Sequence, residues 1–126
     1  MYEKNKKPET AFNYALASQA VGDNNLAYKL YKEVLKSKPN DYYSLLGVAQ
    51  TTNNMEEART NAQKALAQNS DNPDAHVILA STYEPKEFKE QYSLEEARQL
   101  RNDLLKAQNS YEQADNLSQN QEQKQQ

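Results

Sequence analysis

Few side chains in this 126-residue sequence are of kinds that carry out chemistry. His76, the single histidine, stands in the run Ala75-His76-Val77-Ile78-Leu79. A lone histidine among apolar neighbours reads as a packing residue more readily than as a ligand or base. The acidic pairs Glu56-Glu57 and Glu95-Glu96 fall in the first turns of expected helices, where carboxylates favour the positive end of the helix dipole. A catalytic carboxylate pair needs a pocket and divergent pKa values, and neither is indicated. Lys29, Lys32, Lys36 and Lys38 lie on one helix and its exit, which reads as a solvated face. With no Cys there is no thiol nucleophile, disulfide framework or thiolate metal site. Two Gly do not make a phosphate-cradling loop, and one His leaves little for a metal. The expectation is a protein that is not an enzyme and holds no cofactor or metal.

Composition points the same way. Net charge is −3, so there is no basic footprint for nucleic acid. Hydrophobic residues make up 37%, and no apolar run approaches the roughly 20 residues needed to cross a bilayer. Asn and Gln are abundant, 14 and 13 residues. The segment before Pro8 is polar and is not a secretory leader. Two origins fit it: a cytoplasmic protein with its natural start, or an exported protein whose leader and possible lipid anchor were replaced by Met1.

Low Gly and Pro with much Ala, Leu, Lys, Glu and Gln predict an all-helical chain. Apolar periodicity divides it into six helices. They span about 9–21, a stretch carrying Leu26 to Leu35 that ends before Pro39, then 41–52, 55–68, 73–84 and 93–117. Gly22-Asp23, Pro39-Asn40-Asp41, Asn53-Asn54 and 69–73 separate the first five. Residues 84–93 form a longer connection. Ser93-Leu-Glu-Glu96 reads as a capping box for the sixth helix. Residues 1–7 read as a disordered segment or linker and 118–126 as a disordered, Gln-rich tail.

Small residues recur in register. Ala27, Ala58 and Ala97 lie near the starts of second helices, and Ala15, Gly47 and Ala80 lie in the helices before them. Matched small residues predict that each pair crosses closely there. The middle unit reads Tyr43-x-x-Leu46-Gly47-x-x-Gln50, then Ala58. The last reads His76-x-x-Leu79-Ala80-x-x-Tyr83, then Ala97. The first is weaker in front but has Ala27-x-x-x-Tyr31 and Pro39 behind. In these features the chain resembles the tetratricopeptide repeat family. The resemblance implies a right-handed α-solenoid of three helix-turn-helix repeats, about 8–41, 42–73 and 74–109, with a capping helix extended to 117.

The resemblance further implies a concave face built from the first helix of each pair. It assigns Phe12, Leu16 and Gln19 to partner binding from the first unit, Ser44, Val48 and Thr51 from the second, and Val77 and Ser81 from the third. Glu9, Asp41, Asp74 and Glu84 would form an acidic rim. Positions that hold Lys, Arg and Asn in family members gripping the acidic tails of heat-shock chaperones are here Phe12, Leu16, Leu45, Asp74 and Ile78, so that clamp is absent. The expected function is a scaffold binding a segment of another protein. Phe12-Asn-Tyr-Ala-Leu-Ala and Leu46-Gly-Val-Ala-Gln50 are similar to bacterial repeat lipoproteins that assist secretins and Tad-type pili. That similarity implies the periplasmic side of the outer membrane, with a cytoplasmic adaptor or secretion chaperone as the alternative.

Overall fold

The structure, a computed structural model, describes residues 7–85 and 87–125, with side chains to Glu122. Most of the expected N-terminal linker and the last tail residue, Gln126, therefore lie outside the described residues. The described chain is all-helical, with no strand: α1 (Pro8–Ala20), α2 (Asn24–Ser37), α3 (Tyr42–Thr51), α4 (Met55–Gln68), α5 (Pro73–Ser81) and α6 (Leu94–Gln125). It divides into two compact units, one ending at Gln68 and one beginning at Asn69.

In the first unit, sequence punctuation becomes capping. Pro8 opens α1, where a missing N–H costs nothing. Gly22 ends it with a φ of +87°, a conformation that most residues avoid. Asp23 Oδ1 then accepts from Leu26 N–H at 3.2 Å to start α2. Asp41 Oδ2 accepts from both Ser44 N–H, at 3.1 Å, and Ser44 Oγ–H, at 2.6 Å. Asn54 Oδ1 accepts from Glu57 N–H at 3.1 Å and begins α4.

Ala15, Ala27, Leu30, Tyr31 and Val48 form the core, each 4% exposed or less. The expected Ala15/Ala27 pair is thus at its centre. Gly47 and Ala58, expected to mark the second crossing, lie on α3 and α4, which pack against each other. The atoms closest to where a side chain at Gly47 would be belong to Tyr31 on α2. Ala58 is buried on α4, the second helix of that pair. Helix α3 packs against α2 on one side and α4 on the other. Every residue from Ser44 to Ala49 is consequently buried. Tyr43, expected at a packing position, is 64% exposed. Tyr42 takes the inward place instead, half-buried and edge-on to the Tyr43 ring at 5.1 Å.

In the second unit α5 is short. It tightens after Ser81 into i→i−3 bonds from Thr82 and Tyr83 N–H to Leu79 and Ala80. Asn72 caps its start through Asp74 N–H at 3.0 Å. The connection over 85–93 holds no helix or strand among its described residues. The capping box forms reciprocally: Glu96 N–H donates to Ser93 Oγ and Ser93 N–H to Glu96 Oε1, both at 3.1 Å. Lys89 Nζ also donates to the Glu96 carboxylate. The Lys89 ammonium above all, with the Ser93 bonds, holds that carboxyl well below the usual carboxylate range.

Two expectations fail in α6. Ala97 is exposed and does not mark a close crossing. The buried small residues are Ala107, Ser110 and Ala114, ten and more positions further on. Ala107-x-x-x-Tyr111 repeats the spacing of Ala27-x-x-x-Tyr31, so the insertion in this hairpin reaches well beyond Ser93. The tail from 118 to 125 is helical, because adding turns to an existing helix costs little and Gln, Glu and Lys are good helix formers.

Candidate partner-binding surface

In the first unit the exposed side of α1 carries the clearest candidate. Ala11, Ala15 and Ser18 face inward and are buried. Leu16, on the other side, is 47% exposed. Phe12 lies between these faces, half-buried and edge-on to Tyr31 at 6.0 Å. It lines a recess of about 250 Å³ with Asn13, Val34, Asp41 and Tyr43. Glu9 and Lys38 border the recess and pair across it at 3.8 Å.

Half of the residues assigned to partner binding have other tasks. Val48 is fully buried in the core. Ser44 is buried and holds the Asp41 cap. Thr51 is buried, its hydroxyl donating to the Gly47 carbonyl at 2.7 Å. These three corrections share one cause. A helix enclosed on both sides has no outward stripe to offer a partner. Gln19 is half-buried and internally engaged: Tyr31 O–H donates to its Oε1 at 2.7 Å, and its Nε2 donates to Gln50 Oε1 at 3.0 Å. Phe12 and Leu16 remain on the surface.

In the second unit Val77 is 42% exposed, and Ser81, one turn on, is exposed with its hydroxyl donating to the Ile78 carbonyl. Asp74 and Glu84 are exposed as well. The acidic rim is therefore partly spent within the fold, since Asp41 caps α3 and Glu9 pairs with Lys38. His76 closes a turn, its Nε2 lying 2.9 Å from the Ser70 carbonyl oxygen.

The strongest electrostatic feature of the first unit was hidden in the acidic pair at 56–57. Glu57 receives hydrogen bonds from Tyr28 O–H at 2.8 Å, Thr52 O–H at 2.7 Å and Lys32 Nζ at 2.8 Å. Partial burial works to raise its pKa. The three donors outweigh that and leave the carboxyl below its ordinary value. This network joins α2 to the start of α4 and is a structural clasp. Lys36 pairs with Glu33 at 3.1 Å, so the lysine stripe of α2 is largely balanced within the fold.

Among the described residues no three His, Asp or Glu side chains are grouped as metal ligands would be, and no helix is long and apolar enough to cross a membrane. No family model matches the chain, and no curated protein shows significant sequence similarity to it.

Proposed function

We propose that the chain is a protein-binding scaffold of tetratricopeptide-like hairpins that holds a segment of another protein against the exposed side of α1. One observation carries this reading. Leu16 stands in solvent one helical turn from Phe12, which lines the recess, on a helix whose opposite face is packed. An apolar side chain next to a recess has the form of a binding anchor. The buried Ala15/Ala27 crossing and the Tyr31 ring packed on Gly47 support the repeat reading, in which the hairpins stack as a right-handed solenoid. The partner is an amphipathic helix with apolar anchors at helical spacing. The similarity of 12–17 and 46–50 to repeat lipoproteins of pilus assembly supports a partner within a bacterial secretion or pilus machine.

Amide chemical-shift mapping with amphipathic segments of such machines tests this. Shifts centred on Phe12 and Leu16, lost in a folded Leu16→Asp variant, are the expected result. Shifts confined to Lys29–Lys36 and Arg59–Lys64 would overturn it.

A further inference from the structure

Helix α6 has two distinct faces. One is buried at Ala107, Ser110 and Ala114. The other runs through Leu94, Ala97, Arg101, Leu104, Gln108 and Tyr111, all exposed. These positions alternate by three and four residues, the period along which two helices wrap around each other. Beside that seam a second exposed line recurs every seven residues: Arg98, Leu105 and Glu112. Leu105 is 52% exposed and Leu94 69%. A stripe this apolar is seldom left bare. Its charges are sorted along the axis, with Arg98 and Arg101 toward the start and Glu112 and Asp115 toward the end. Among the described residues neither arginine has a salt bridge.

We infer that this face joins two copies of the chain, with their α6 helices antiparallel about a two-fold axis at Leu105. Such an axis carries the position seven residues before Leu105 onto the position seven after it. Arg98 of each copy then meets the partner's Glu112, and Leu105 meets its own counterpart. Within the seam Leu104 lies opposite the partner's Gln108. Arg101 lies opposite the partner's Tyr111, where a guanidinium stacks on an aromatic face. Glu84 accepts a hydrogen bond from Tyr111 in the same copy, so Arg101 also finds a carboxylate there. In a parallel pair the two Arg98–Leu105–Glu112 lines would fall on opposite flanks of the seam and would not meet. The Arg98–Glu112 pairing thus favours the antiparallel arrangement, and the pattern is complementary to itself rather than to a uniformly charged partner. The contact is isologous and closes at two copies. This reading is independent of the surface on α1.

Sedimentation velocity on the full chain over a concentration series is the test. The wild type is expected to show a monomer–dimer equilibrium. Arg98→Glu and Glu112→Arg, each creating two like-charge contacts per dimer, should each weaken association by about tenfold or more. The double variant, with the charges exchanged, should associate like the wild type. Both positions are exposed, and far-ultraviolet circular dichroism will register any loss of folding. A wild type that stays monomeric throughout overturns the inference. So do single variants that dimerise normally, or a double variant that shows no rescue.

Discussion

The ring of Tyr31 lies against Gly47 so closely that a Cβ at Gly47 would sit 2.6 Å from its Cε1, Cε2 and Cζ atoms. No real side chain fits in that space. The ring has no room to retreat, because Tyr31 is 1% exposed and its hydroxyl is bonded to Gln19. One missing side chain therefore lets α3 close onto α2.

Gly47→Ala should consequently destabilise the first unit by about 1–3 kcal/mol, the usual cost of overpacking a core. This is despite the higher helix propensity of Ala, worth about 1 kcal/mol in an exposed helix. Urea denaturation measures the difference. A variant as stable as the wild type would show that the Tyr31 ring can move aside.

The two alanines of α6 should respond in opposite ways. Ala107 is 3% exposed, so Ala107→Leu should cost about 1–3 kcal/mol. Ala97 is exposed, and Ala97→Leu should change stability by less than about 0.5 kcal/mol. Paired thermal melts decide which residue sets the third hairpin's register.

Glu57 should make stability pH-dependent. Its carboxyl lies below the ordinary value of 4.5 in the folded chain. The stabilisation is then complete above 4.5 and is lost as pH falls through the lowered value. Glu57→Gln should cost about 1 kcal/mol at neutral pH, and the gap to the wild type should shrink under acid. Denaturation curves from neutral pH downward test this, and a gap independent of pH would contradict it.

Deleting residues 119–126 should reduce helical dichroism while leaving the melting temperature nearly unchanged. The described side chains from Ser118 to Glu122 are exposed, and the bond from Gln121 Nε2 to the Asp71 carbonyl at 3.2 Å is at the surface. Removing the segment takes away helix without taking away core. A large drop in melting temperature would show that the tail stabilises the fold.

The first four helices were legible because their ends carry capping chemistry: Gly22-Asp23, Asp41 and Asn54 each do in the fold what their residue types predict. The third hairpin was not, for a physical reason. Leu94, Ala97, Leu100 and Leu104 have the same helical period as the stripe through Ala107, Ser110 and Ala114, and periodicity alone cannot tell which is covered. The candidate surface was half legible. Phe12 and Leu16 stand on a helix with one polar side. Ser44, Val48 and Thr51 do not, and the continuous run Leu45-Leu46-Gly47-Val48-Ala49 was the available sign, since a helix apolar all round is an interior one. The Glu57 clasp depends on Tyr28 and Lys32 from another helix, and no local pattern announces such a meeting.

The enclosure of α3 also sets a timescale. Leu46 to Ala49 are buried where α3 packs on both α2 and α4, so fraying at a helix end does not expose them. Hydrogen exchange at Leu46 to Ala49 should therefore report the complete opening of the first unit. The described amides of the 85–93 connection, apart from those of Lys89 and Ser93, which donate to Tyr92 Oη and Glu96 Oε1, should exchange far faster.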